Sequence, residues 1–155
     1  LDESIFKGST INTPSMLCVE DHLDALGWSR EIGGLGALIA RSNANYTVIA
    51  EWVASSDWAQ FLAQNPAQRS TTSVCLIIVD PWFKSLLEDE QAAVAKGIAS
   101  LLDQEGVAFD GGAYRDAPPG LRIWAGATVE ASDLSALMPW LDWAFEAVKA
   151  EHGTA

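Results

Sequence analysis

Two arginines, Arg115 and Arg122, bracket a Pro118-Pro119-Gly120 turn in the stretch AYRDAPPGLRIW, residues 113–124. A guanidinium group presents a planar fork that matches carboxylate or phosphate oxygens two at a time, and each charge-assisted hydrogen bond is worth about 1.5–3 kcal/mol. Two such forks beside a rigid turn can grip a small molecule with two anionic groups. The competing possibility is that each arginine pairs with a neighbouring acid, Asp110 or Asp116, in an ion pair of little consequence. Spacing alone leaves both open.

The wider composition gives these arginines weight. Lys and Arg total 9 against 21 Asp and Glu, for a formal charge of −12. Such a surface repels phosphate backbones and anionic headgroups, so neither nucleic acid nor a membrane surface is an expected partner. The longest strongly apolar run, VCLIIV at 74–79, is far too short to span a bilayer, and no signal peptide is visible. A cytoplasmic protein is the expectation.

A second candidate is INTPS, residues 11–15. Thr13 reads as a helix N-cap and Pro14 as the first helical residue, leaving backbone N–H groups where the helix dipole favours an anion. Ordinary capping by Thr13 explains the same pattern. Other stretches carry less. GGLGAL lacks the third glycine of a dinucleotide fingerprint and follows a helix rather than a strand, so it reads as a helix break. Glu88, Asp89 and Glu90 suit a helix start without metal. Ser70, Thr71, Thr72 and Ser73 have no partnered histidine. His22 and His152 lack ligand spacing, and no metal site is expected. Cys18 and Cys75 lie in apolar stretches and read as packed structural thiols. The seven tryptophans read as core.

The elements that must position these residues follow from periodicity. Apolar residues at 16, 19, 23 and 26 predict a helix over about 14–30, and after Gly33-Gly34 a second helix carries Leu35, Leu38, Tyr46, Ile49 and Val53. RSTTSVCLIIVDP reads as a buried strand. A helix through Val94, Ile98 and Leu101 ends at Gly106. VAFD and LRIWAG are short strand candidates flanking the glycine and proline loop. A last helix places Leu134, Leu137, Leu141, Phe145 and Val148 on one stripe, with Ser132 and Asp133 placed to cap it and Pro139 introducing a kink or an interrupted first turn. With 155 residues and 49% hydrophobic content, the expected fold class is α/β, a small α+β layer structure with a mixed sheet and packed helices.

Beyond their individual chemistry, the segments INTPSMLCVEDHLDALGW, GGLGALIARSNAN, RSTTSVCL and YRDAPPGLRIWAGATVEASDL together resemble the C-terminal part of the phosphoserine aminotransferase family, in the same order and over nearly the whole chain. The resemblance implies the C-terminal small domain of a fold-type I, aspartate-aminotransferase-like enzyme. Such an enzyme uses pyridoxal phosphate, held on a lysine, to move an amino group between glutamate and 3-phosphohydroxypyruvate, giving 2-oxoglutarate and O-phosphoserine for serine biosynthesis. The cofactor lysine of the family lies upstream of this segment, and Lys7, Lys84, Lys96 and Lys149 do not stand in a matching context. No catalytic lysine is therefore expected in this chain.

On the same resemblance, Arg122 matches the arginine that holds the substrate α-carboxylate, and Arg115 the one near the substrate phosphate, reaching the neighbouring subunit. Tyr114 stands where many relatives carry histidine, and can donate one hydrogen bond without adding charge. Asn12 and Thr13 match a pair that reaches across the homodimer to the cofactor phosphate. The implied organisation is an arm and connecting helix over 1–30, a small domain over 31–155, and a large cofactor-lysine domain outside this chain. The opening LDESIFKGSTINTPSM, without Met, reads as cut from something longer. Such a fragment is expected to be inactive alone and not to retain pyridoxal phosphate. Two alternatives stand beside this: a stand-alone small-molecule or protein-interaction module, and an aminotransferase of similar fold acting on a substrate without phosphate.

Overall fold

The computed structural model describes residues 3–10 and 12–153. Leu1, Asp2 and Ile11, which fall in stretches quoted above, lie outside them. The chain forms two compact units, Leu1–Leu38 and Ile39–Ala155.

The first unit opens with a 3-10 turn, Glu3–Lys7, and continues into helix α1, Met16–Glu31. The helix starts two residues later than its pattern predicts. Ser15 is the N-cap, its hydroxyl accepting from the Cys18 N–H at 3.4 Å, so neither Thr13 as cap nor Pro14 as first helical residue holds. Ser outranks Thr as a cap, and here it is the residue with its hydroxyl within reach of an orphan helical N–H. Gly33 and Gly34 adopt φ of +114° and +69° and end the helix. None of α1 is buried: Met16, Leu17, Val19, Leu23 and Leu26 are all exposed. Cys18 is exposed too, which corrects its reading as a packed thiol, whereas Cys75 is half-buried.

Helix α2, Gly34–Ser55, runs from the end of the first unit into the second. The second unit continues with strand β1 (Ala59–Phe61), strand β2 (Ser73–Ile78), the short helix α3 (Pro81–Ser85), helix α4 (Glu88–Gln104), strand β3 (Gly120–Trp124) and helix α5 (Ala131–Gly153). The α/β class is as expected, but the sheet is not mixed. Its order is β1-β2-β3 with both pairings antiparallel, Ala59 opposite Ile78 and Cys75 opposite Arg122. VAFD forms no strand, because its amides turn back on α4: the N–H groups of Val107 and Ala108 both donate to the Leu102 carbonyl.

Val74, Leu76 and Ile78 of β2 alternate into the core, joined by Phe61, Leu121 and Ile123. Against that face pack Val94, Ile98 and Leu102 of α4 and Leu134, Met138, Leu141 and Phe145 of α5. Burying each large aliphatic side chain contributes about 1.5–3 kcal/mol. Gly97 lies at the contact between the two helices, where a Cβ would stand in ordinary van der Waals contact with a Val148 methyl at 3.4 Å. Helix α4 ends as its sequence predicts, with Gly106 at φ +69°. Helix α5 runs through Pro139 without interruption, and it starts at Ala131, which places Ser132 and Asp133 inside its first turn rather than ahead of it.

The tryptophans divide. Trp58 stacks on Phe145 at 4.4 Å, and the indole N–H groups of Trp52 and Trp58 donate to the two oxygens of Asp142 at 3.1 and 2.8 Å. Trp124, Trp140 and Trp143 are exposed, so the core reading fails for these three. At the start of α3, Asp80 caps the amides of Trp82 and Phe83 and meets Lys149 at 2.8 Å. Burial pushes its carboxyl up, but the Lys149 contact and the two amides outweigh this and hold it below the usual range. A depressed carboxylate pKa stabilises the fold above the ordinary value, and that contribution is lost as pH falls through the lowered one.

Candidate functional site

Both arginines singled out above lie in the second unit, around strand β3. Gly120 begins this strand where no other residue fits: a Cβ there would stand 2.1 Å from the Leu76 carbonyl oxygen. Two positions on, Arg122 projects from the sheet face opposite the core, level with Cys75. Its main-chain N–H donates to the Gly111 carbonyl at 2.9 Å, and Gly112 bridges Leu121, so the 110–112 segment lies along the outer edge of β3.

That segment cages the Arg122 side chain. One terminal nitrogen donates to the Asp110 carboxylate at 2.7 Å, and the Tyr114 ring lies under the guanidinium with its centroid 4.6 Å away. The ion pair anticipated for Asp110 therefore forms. Asp110 takes φ of +54°, a left-handed conformation that aspartate tolerates better than most residues. Its hydrogen bond pushes the Arg122 pKa further up; burial opposes the shift and Tyr114 adds to it. The pairing leaves capacity unused. Arg122 Nε is buried without a hydrogen-bond partner, as is Ser73 Oγ.

Arg115 is in a different position. It is exposed and has no ion-pair partner among the described residues. It lines a cavity of about 440 Å³ between the 110–120 loop and one face of α4, whereas Arg122 lines a second cavity of about 330 Å³ beside α5, walled mainly by Leu121, Ile123 and Leu137. Asp110 and Gly111 line both cavities. The two arginines thus line different cavities that have Asp110 and Gly111 in common, and Tyr114 lines the first while its ring supports Arg122.

The far end of β3 is fixed by α2. Asn45, almost fully buried, donates through Nδ2 to the carbonyls of Ala125, Gly126 and Val129 at 3.3, 3.0 and 2.9 Å. Ser42 donates to Thr71 O and Ala125 O, and Arg41 donates to Ala127 O and pairs with Glu130. Sequence reasoning passed over these residues. Their signal was polar Ser42 and Asn45 standing three and four positions apart in register with Ile49, on the buried stripe of a helix. Asn12 and Thr13 belong to the first unit, exposed, ahead of the Ser15 cap of α1.

No protein-family model matches the chain. Its fold is that of part of a solved α/β aminotransferase: the phosphoserine aminotransferase from Bacillus circulans subsp. alkalophilus superposes with a TM-score of 0.73 at 18% identity, over 94% of this chain and 37% of that one. The chain is also similar in sequence to a C-terminal part of phosphoserine aminotransferases. It is 50% identical over 149 residues to the phosphoserine aminotransferase of Methanosarcina barkeri and 48% identical to that of Methanosarcina mazei, 96% of this chain being covered in each case. It spans 38% of the length of both.

Proposed function

We propose that this chain is the C-terminal, substrate-binding part of a phosphoserine aminotransferase, which transfers an amino group between glutamate and 3-phosphohydroxypyruvate to give O-phosphoserine. The observation that carries this reading is the pair of arginines lining separate cavities, in a chain half identical to proteins of that name. A substrate with a carboxylate and a phosphate calls for two anion-binding groups, and in a homodimer Arg122 of one chain and Arg115 of its neighbour can supply them.

In this reading Arg122 binds the α-carboxylate. The Asp110 contact and the Tyr114 ring hold the fork at one angle, and the Asp110 pair engages only one terminal nitrogen. Fixing the carboxylate in this way orients the Cα–H bond of the substrate, which converts positioning into rate. Arg115 takes the phosphate of the substrate held by the neighbouring subunit. Tyr114 acts through Arg122, as a support under the guanidinium, rather than as a charged substrate ligand.

Pyridoxal phosphate, when bound, would supply the electron sink that lets the substrate lose its α-proton. The residues present fit its phosphate end. Asn12 and Thr13 offer an amide and a hydroxyl immediately before the amino end of α1, where orphan N–H groups and the helix dipole favour an anion. They do not supply its attachment: Lys149 is engaged with Asp80, and no lysine stands in the context of a cofactor lysine. That group must come from outside residues 1–155. The reading accordingly takes the working enzyme to be a cytoplasmic homodimer in which an N-terminal arm serves the cofactor and residues 31–155 serve the substrate, and it takes this chain alone to be inactive.

The test is phosphoserine-dependent conversion of bound cofactor to its pyridoxamine form, followed by absorbance, in protein with the upstream segment restored. Conversion at low phosphoserine, with serine far weaker, is expected. Equal conversion with serine would show a substrate without phosphate, and failure to bind cofactor would show a binding module instead.

A further inference from the structure

The tryptophans that the core does not take up include a pair, Trp140 and Trp143, three residues apart on α5 and therefore neighbours on its surface. Their rings meet edge to face, with centroids 5.3 Å apart and planes at 86°, so that two faces form a right-angled corner. The rings line a cavity of about 400 Å³ together with Glu105 and Pro139, and none of these four residues lines the cavities of Arg115 and Arg122. An aromatic face attracts a cation placed within about 6 Å of its centroid, and a group seated in the corner can be that near to both rings. Elsewhere the protein fills such positions with its own cations: Arg69 over Phe61, Arg122 over Tyr114, and Lys149 over Trp82 and Phe145. Among the described residues no basic side chain lies over Trp140 or Trp143. The end of α4 adds to the deficit. A helix carboxyl end favours positive charge, yet the last turn of α4 holds no basic residue, and Glu105, its C-cap, is exposed with no ion-pair partner among the described residues. Two π faces, a carboxylate and the negative pole of a helix thus meet at one cavity without a cation between them.

We propose that this corner binds a small organic cation of the quaternary ammonium class, its methyl groups against the two indole faces and its charge beside Glu105. The lining selects that class over a primary ammonium. Pro139 has no polar side-chain atom, an indole N–H only donates, and Glu105 is the one side chain that accepts, so a primary ammonium would bring three donors to a single carboxylate. It is also strongly hydrated, and gives up its water reluctantly for an aromatic face. A quaternary ammonium has no N–H to satisfy and spreads its charge over methyl groups that suit an aromatic wall. The inference does not depend on the aminotransferase reading, because the corner shares no residue with the site proposed for the substrate.

The test is titration with tetramethylammonium chloride, at ionic strength held constant with sodium chloride, of protein with the upstream segment restored and its tryptophans fluorinated. The fluorine resonances of Trp140 and Trp143 are expected to shift and saturate, while those of Trp52 and Trp58, engaged with Asp142, stay in place. Methylammonium is expected to bind at least about threefold more weakly, and neutral tert-butanol to show no saturation. Trp143→Leu, followed at Trp140, is expected to weaken tetramethylammonium about fivefold, and Glu105→Gln about threefold. Both substitutions are at exposed positions, and the unmoved Trp52 and Trp58 resonances report that the fold is kept. Absence of a shift at Trp140 and Trp143 overturns the proposal, as it must if the upstream segment covers the two rings. Equal saturation by tert-butanol overturns it by showing a merely apolar patch, and equal binding of methylammonium overturns the ligand class. Unchanged affinity in Glu105→Gln overturns the part given to charge. None of these readouts involves amino transfer, so the corner and the aminotransferase reading stand or fall separately.

Discussion

Arg122 and Arg115 sit seven residues apart in one loop-and-strand segment, yet their surroundings differ in almost every respect. Arg122 is held from three sides: its strand is locked by Gly120 and by the α2 network, a carboxylate fixes one nitrogen, and an aromatic ring supports the plane. Arg115 is exposed, in a loop, with no ion pair among the described residues. In the proposed reaction one site must accept both glutamate and phosphoserine. Their α-carboxylates are identical, so a rigid partner serves both. Their far ends differ in charge, length and shape, and an exposed arginine with no ion pair among the described residues can meet either. Rigidity is placed where the substrates agree, and freedom where they differ.

The sharpest way to break this comparison is to remove the feature both arginines share. Gly120→Ala drives a methyl into the Leu76 carbonyl, in backbone paired on the core side, where neither partner can move aside cheaply. The expected cost is about 3 kcal/mol or more of stability, seen as a lower denaturation midpoint, with loss of both anion-binding functions. A substitution that kept full stability would mean that the β2–β3 register near the turn is looser than the geometry states.

Next in size is the contrast between the arginines themselves, in protein with the upstream segment restored. Arg122→Gln is expected to lower kcat/KM about a hundredfold, by the same factor with glutamate and with phosphoserine, since both lose the same carboxylate contact. Arg115→Gln is expected to cost about tenfold with phosphoserine and distinctly less with glutamate. Steady-state kinetics with both amino donors decide the matter. Equal losses in the two variants, or selective loss with Arg122→Gln, would reverse the assignments.

How much of this arrangement can be read from the chain depends on whether its cause is local. The helices were legible because apolar spacing and the Gly33-Gly34 and Gly106 breaks are local signals, and β2 was legible because its β-branched run is buried on alternate residues. Strand β1 was not. Three residues with a polar centre, Gln60, become a strand only because β2 offers them a ladder. VAFD misled for the converse reason: it looks like a strand, but its amides are consumed by the end of α4. At the site, Arg115 and Arg122 were visible through their motif, and the Arg122–Asp110 pair was anticipated as one of two outcomes.

The smallest expected effect tests whether Asp110 is a competitor for Arg122 or its keeper. Its side chain is 87% exposed, so the ion pair adds little to stability, of the order found for surface pairs, about 0–1 kcal/mol. Asp110→Asn preserves both the size of the side chain and its tolerance of φ +54°, removing only the charge. If Asp110 mainly competes, the substitution frees a donor and KM falls for both amino donors. The geometry favours the keeper. The pair engages only one terminal nitrogen of Arg122, while the Tyr114 ring alone would leave the fork free to turn in its plane. The expected outcome is therefore a kcat lower by about threefold with both donors, KM within about twofold, and an unchanged thermal midpoint. A lower KM at constant kcat would show that the carboxylate restrains binding rather than orienting it, and the rigidity assigned to Arg122 would then rest on the strand and the aromatic ring alone.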